Sequence, residues 1–276
     1  LRDGLVIALL MFPRLGIAAE DGKAADGAND GSDAIMQSQL GTLRFSAPGT
    51  DDDKGLQVAP QALLKYNDPA RRYLAGGLWR IGKSGRPKGL VSQEIWPVDA
   101  DPDRGTLRCE LVSFRSDGLD MTGSAGMAWH PRESVLDFKP LSDAPRPART
   151  AERRLLQMKE LARGFEVKES YQGDVSVLRL LPRPIDRYED RERGIDDGAM
   201  FAFTYGTNPE LVLLLECHNE GWQFAVARLS WAELNVERGG ARQQFFAEIM
   251  AVGQDEAYTS NSVTTLLRHG ASAGRR

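Results

Sequence analysis

Residues 176–237 constrain what this chain can fold into more than any other stretch. Four segments, 177–181, 199–206, 211–217 and 222–229, are rich in side chains that fit a pleated surface. Thr207-Asn208-Pro209-Glu210 and His218-Asn219-Glu220-Gly221 separate the last three, placing turn formers where hairpins need them. The pattern predicts an antiparallel meander. Trp222, Phe224 and Val226 alternate onto one face, and burying such side chains contributes about 1.5–3 kcal/mol each. Leu211-Val212-Leu213-Leu214-Leu215 has no polar alternate, which predicts a central strand covered on both faces. Pro182 and Pro184 cannot donate ladder hydrogen bonds, so the segment before them reads as an edge strand or a break.

Upstream, the same order recurs loosely. A short helix at 62–66, ended by Asn67-Asp68-Pro69, precedes strands at 77–81, 90–98 and 106–114. In the last of these, Leu107, Cys109 and Leu111 share one face and Arg108 and Glu110 the other, which predicts a sheet with one buried face. A strand pair at 126–130 and 134–138 follows. The clearest helix spans 151–165, with Thr150 as N-cap and Leu155, Met158, Leu161, Ala162 and Phe165 on one stripe. The expected fold is α+β: a curved antiparallel β-sheet, meander or half-barrel, packed by one or two helices. It forms one domain over 60–237, with 60–138 and 150–237 as candidate similar halves. A half-barrel wrapping the helix would be similar in architecture to lipoprotein-carrier folds.

The ends read differently. Leu5-Val6-Ile7-Ala8-Leu9-Leu10-Met11-Phe12, stopped by Pro13 and followed by small residues, reads as a secretory signal over 1–19. It is too short for a membrane span, which needs about 20 apolar residues. Residues 20–58 are rich in Asp, Gly, Ala and Ser and read as a disordered tether, with a brief strand around 40–45. After Arg238-Gly239-Gly240, a short helix at 243–250 leads into a disordered tail. The expected location is therefore periplasmic or extracellular. In that compartment a Cys109–Cys217 disulfide is allowed, and each cysteine reads also simply as a small buried hydrophobe.

Several segments together resemble an uncharacterised family of exported proteins of planctomycete-type bacteria. They are Ala62-Leu63-Leu64-Lys65-Tyr66-Asn67-Asp68-Pro69-Ala70-Arg71, Arg153-Arg154-Leu155-Leu156-Gln157-Met158-Lys159-Glu160-Leu161-Ala162, Leu178-Arg179-Leu180-Leu181-Pro182-Arg183-Pro184-Ile185, and Asp197-Gly198-Ala199-Met200-Phe201-Ala202-Phe203 with Gly206-Thr207-Asn208-Pro209-Glu210. The resemblance covers about 60–230. It implies export and an envelope setting, and it carries no activity.

Chemical signatures are sparse. Lys+Arg 35 against Asp+Glu 39 leaves no basic excess for a nucleic acid. His130, His218 and His269 are scattered, and no imidazole or thiolate metal motif occurs. Asp99, Asp101, Asp103, Gly105 and Glu110 have calcium-loop spacing, but Arg104 stands where the loop needs glycine, so the segment reads as an acidic hairpin. No nucleotide-binding glycine motif or serine nucleophile elbow is present. No cofactor is expected. Residues 186–197 pack both charge signs into one loop, a carboxylate pair for work on a sugar or a self-paired turn. Arg187 and Tyr188 of that loop, with Trp129 and Trp231 near segment ends, are the candidate binding residues. The first expectation is a non-catalytic exported module binding an envelope component or small apolar ligand. The alternatives are a periplasmic hydrolase using Asp186, Glu189 or neighbouring carboxylates, and a structural or assembly protein.

Overall fold

A computed structural model describes residues 30–50, 56–68, 72–99, 101–219 and 221–267. The signal segment, part of the tether, His269 and the last residues of the tail lie outside them. In chain order the first half carries α1 (Asp30–Leu40), β1 (Arg44–Ser46), β2 (Leu64–Asp68), β3 (Tyr73–Ile81), β4 (Gly89–Val98), β5 (Asp101–Ser113), β6 (Asp120–Thr122), β7 (Ala128–Trp129) and β8 (Lys139–Pro140). The second carries α2 (Ala151–Arg163), β9 (Phe165–Tyr171), β10 (Asp174–Val177), β11 (Arg179–Leu180), β12 (Asp186–Asp190), β13 (Ile195–Tyr205), β14 (Asn208–His218), β15 (Gly221–Arg228), β16 (Glu233–Arg238), β17 (Ala241–Phe246) and β18 (Tyr258–Leu266).

The fold is α+β, dominated by antiparallel sheet. The single curved meander or half-barrel is corrected, however: the strands divide into four sheets. A five-stranded sheet runs β18-β5-β4-β3-β2, and a six-stranded one runs β11-β13-β14-β15-β8 with β12 also on β13. These two pack back to back through Leu78, Leu90, Val112, Met200, Val212 and Leu214. On its outer face the five-stranded sheet is covered by α1 and the small sheet β1-β6-β7. The six-stranded sheet is covered likewise by α2 and the small sheet β10-β9-β16-β17. The leucine-rich strand lies where its pattern puts it. Leu211, Leu213 and Leu215 fill the outer core, Val212 and Leu214 the central one, and none has measurable exposure.

A constant shift of 122 residues relates the halves. Met36 and Met158, Tyr66 and Tyr188, Gly76 and Gly198, Pro87 and Pro209, and Glu94 and Glu216 are each that far apart. Residues 64–68 and 186–190 are short strands with the same alternation of burial and the same bulge after the tyrosine. The two glycines serve those tyrosines. A Cβ at Gly76 would stand 2.3 Å from the Tyr66 ring, and one at Gly198 would stand 2.4 Å from Tyr188. The halves also interlock. β8 pairs with β15 of the second half, and β18 pairs with β5 of the first.

Several readings of local structure change. Of the strand pair at 126–130 and 134–138 only β7 forms, and 134–138 is irregular; the turn before the leucine-rich strand is Gly206-Thr207, with Asn208, Pro209 and Glu210 already in β14. The tether carries α1 and β1, because Ile35, Met36, Leu40 and Phe45 are enough to seal the outer core despite polar surroundings. Residues 64–66 are strand and not helix, held by the β3 edge. Residues 241–246 are strand, paired to β16. The tail contains β18, which completes the five-stranded sheet. The proposed disulfide does not form. Cys109 and Cys217 are free, each in a different outer core, with the two large sheets between them.

Candidate functional site

Two sites occupy equivalent positions between the large sheets. In the second half, Glu216 on β14 faces the central layer with no exposure. Tyr188 on β12 reaches it because Gly198 lets the ring lie flat, and its hydroxyl donates to Glu216 Oε1 at 2.9 Å. Arg86, from the turn between β3 and β4, donates from Nε to the same oxygen at 2.7 Å and from Nη2 to Oε2. His218 Nε2 lies 3.3 Å from Oε2. The guanidinium also lies 4.2 Å over the Phe138 ring. Both carboxylate oxygens are engaged and the site is closed, as a fully buried charge requires.

The equivalent place in the first half is open. Tyr66, lying over Gly76, puts its hydroxyl 3.0 Å from Ser92 Oγ and 3.2 Å from Glu94 Oε1. Strand alternation puts Ser92, Glu94, Arg108 and Glu110 on the central face of β4 and β5. That face is not simply the solvent side of the sheet: the second large sheet packs on it at Leu90 and Val112, and it opens into a cleft at Glu94, Arg108 and Glu110, with Glu110 itself buried. From the other half come Asn208, Glu210 and Ser230, and β9 brings Glu169. With Glu94, Arg108 and Glu110 they line a cleft of about 790 Å³. Four of its glutamates, Glu94, Glu110, Glu169 and Glu210, are each less than one-twentieth exposed.

These carboxylates are held in place. The Tyr258 hydroxyl donates to Glu110 at 2.9 Å, Ser230 to Glu169 at 3.1 Å, and the Asn208 amide to Glu210 at 2.9 Å. Glu94, Glu169 and Glu210 have further partners besides. Arg228 sits behind the wall, with its guanidinium donating to the carbonyls of Ser230, Ala232 and Ala247. Burial, then the neighbouring Glu94 carboxylate, pushes Glu110 up to about 8, against the opposing pull of Arg108, the Tyr258 hydroxyl and Arg228. The mouth is aromatic. Tyr73 meets Trp96 edge-on at 4.2 Å, Arg108 lies 5.0 Å over the Trp96 ring, and Trp231 and Tyr171 complete the rim.

Of the four residues singled out by sequence, only Trp231 reaches this cleft. Trp129 is fully buried in the outer core, donating from Nε1 to Glu256 O at 2.7 Å, so it lines no groove. Arg187 forks onto Asp197 at 2.9 and 2.8 Å and donates to Ala151 O. Tyr188 serves Glu216. The loop carboxylates are likewise committed or apart: Asp186 pairs with Arg80 at 2.7 Å, while Glu189 is exposed. The acidic hairpin holds no metal-type cluster, and none occurs among the described residues. Its Asp99 pairs with Arg72, and Glu110 turns away into the central layer. Glu94, Glu169 and Glu210 escaped sequence reasoning. The signal available was the repeated spacing of Tyr66, Gly76 and Glu94 in Tyr188, Gly198 and Glu216.

No family profile matches the chain, nor does any curated protein or solved structure.

Proposed function

We propose that this is an exported, non-catalytic module that binds a small ligand in the acid-walled cleft between its halves. The observation that carries the reading is the convergence of buried polar side chains from both halves on one aromatic-rimmed cleft. Its volume of about 790 Å³ falls within the range of roughly 300–1,000 Å³ usual for small-molecule sites. Export is supported by the apolar segment at 5–12. The buried glutamates of the walls disfavour the small apolar ligand that was one of the two expected partners, so the ligand carries polar groups of its own. A thermal-shift and calorimetric screen against soluble glycans, amines, peptides and lipids tests this. Saturable binding that Trp231→Ala weakens by about tenfold or more supports it. Turnover of any of these compounds by the purified chain would replace it.

A second reading, a hydrolase, is favoured by one feature. Glu110 is held protonated near neutrality beside other carboxylates, the arrangement that acid–base cleavage of a glycoside uses. It shifts the hydrolytic candidates from the 186–197 loop to the cleft. Hydrolysis of an aryl glycoside, abolished by Glu110→Gln and retained by Asp186→Asn, would establish it. Full retention by Glu110→Gln would end it.

A further inference from the structure

We propose that a second pocket, apart from the cleft, holds a compact oxyanion, a phosphate or sulfate group, between the β3–β4 turn and the turn that follows β12. Its volume is about 520 Å³, and it shares no lining residue with the cleft. Lys83, Ser84 and Lys88 line it from the first turn and Arg191 from the second. The two turns are fixed on each other. Asp190 accepts from Arg86 N at 3.1 Å and from Arg193 N at 3.3 Å. Gly85 makes room for that carboxylate, since a Cβ there would stand 2.7 Å from Asp190 Oδ2. Arg80 braces the first turn from within, donating to Gly82 O at 2.9 Å and to Gly85 O at 2.7 Å. The pocket is therefore formed by the protein's own contacts.

The arginines around this pocket are each taken. Arg80 pairs with Asp186, Arg187 with Asp197, Arg86 with Glu216, Arg115 with Asp117 and Arg193 with Asp190. The side chains of Lys83, Lys88 and Arg191 make no hydrogen bond or ion pair among the described residues. Lys83 and Arg191 are exposed, while Lys88 is half-buried. Burial first, then Arg193, with Arg115 and Arg86 adding to it, hold the Lys88 ammonium below the ordinary lysine range against the pull of Asp190. Asp190 itself is already shared among three donors. A half-buried ammonium beside three guanidiniums is short of negative charge. The fold does not demand a cation there. Shifted by 122 residues, Lys83, Arg86 and Lys88 are Tyr205, Asn208 and Glu210, so joining the equivalent strands needs none. An oxyanion against Lys88 supplies the missing charge, and Lys83, Arg191 and the Ser84 hydroxyl offer it further donors. A neutral ligand leaves the imbalance, and an amine adds to it. Glu189 and Glu192 also line the pocket and are exposed, which disfavours a polyanion and leaves a compact group.

The test follows the Cε–Hε resonances of the ¹³C-labelled full chain, which has eight lysines. The probes, at constant ionic strength, are inorganic phosphate, inorganic sulfate, glycerol 3-phosphate, and phosphatidylcholine vesicles with and without phosphatidic acid. Heparin and spermidine are the competing classes. The expected result is a saturable shift of Lys88 and Lys83 with phosphate or sulfate at about 1 mM, and a rise in the pH at which Lys88 titrates. A tighter response to glycerol 3-phosphate marks a soluble ester as the source; a tighter response to the phosphatidic acid vesicles marks a lipid headgroup. Lys88→Gln then weakens phosphate by about tenfold without lowering the unfolding midpoint, while Lys88→Arg retains it. Lys168→Gln, on another sheet, leaves it unchanged. If neither phosphate nor sulfate moves the two resonances, or only heparin or spermidine does, the proposal is wrong. It is equally wrong if Lys88→Gln binds phosphate as the unaltered chain does, or if Lys168→Gln weakens it as much.

Discussion

Glu216 and Glu94 stand at equivalent places in a duplicated scaffold, and they are treated oppositely. Each is reached by a tyrosine hydroxyl across a glycine. The difference lies in the turn that the opposite half extends over it. The β3–β4 turn brings Arg86 and Lys88 to the Glu216 side, and the former closes on the carboxylate. Shifted by 122 residues, the same positions are Asn208 and Glu210, which the first residues of β14 bring to the Glu94 side. Two cations in one copy are an amide and a carboxylate in the other. The lesson is that the backbone device was kept for its geometry, while two side-chain positions decided between an internal ion pair and a cleft.

The largest effect should come from breaking the closed copy. Arg86→Met leaves Glu216 buried without its cation, which should destabilise the chain by about 3–5 kcal/mol in urea titration. Adding Glu216→Leu should restore most of that loss. A loss below about 1 kcal/mol for Arg86→Met would mean that the ion pair is not what closes this site.

Next come the two glycines, which test whether the copies share one device. Gly76→Ala and Gly198→Ala each drive a Cβ into a buried tyrosine ring, and each should cost about 1–3 kcal/mol by the same titration. Similar costs support the equivalence. A full cost at one position with none at the other would break it.

A smaller, pH-dependent effect separates the open copy. Glu110 is held up at about 8 in the fold, well above the ordinary glutamate value of the unfolded chain. The folded state therefore binds the extra proton, and its contribution to stability is complete at pH below the unfolded value. That contribution falls as pH rises and is gone above about 8. Glu94, Arg108, Tyr258 and Arg228 face the carboxyl from the surrounding strands and set the position of the transition. Glu110→Gln, a neutral mimic of the protonated form, should flatten the loss of stability between about pH 5 and 8. An unchanged slope would place the ionisation elsewhere.

Legibility in the sequence followed how many partners an element needs. Strand 211–215 and the helix at 151–163 carry their pattern within themselves, so periodicity finds them. β18 is mostly Ser, Thr and Asn and becomes a strand only because β5 lies beside it, which no local pattern reveals. The 62–66 run was too short to separate helix from strand, and α1 hides three core residues among Asp, Ser and Gln. The cleft was the least legible part. Alternation of Leu107, Cys109 and Leu111 with Arg108 and Glu110 looks the same whether the polar side meets water or a second sheet. Val112 and Phe114, continuing on the Glu110 side, were the local hint that it meets a sheet.

The smallest expected effect concerns the cysteines, one in each half. Cys109 packs in the outer core of the five-stranded sheet and Cys217 in that of the six-stranded sheet, so no local rearrangement brings them within bonding reach. Burial pushes the Cys109 thiol up to about 12 and Cys217 to about 11, which keeps both protonated and unreactive at neutral pH. Reductant should therefore leave the unfolding midpoint unchanged. A thiol reagent should titrate both groups only after denaturant has opened the fold. The finer comparison is the order in which they appear at intermediate denaturant. Simultaneous appearance means that the reciprocal exchange of β8 and β18 makes the halves one cooperative unit. Cys217 reacting while Cys109 stays protected would mean that the duplicated halves still unfold separately, and that the cleft between them can open without losing the first half.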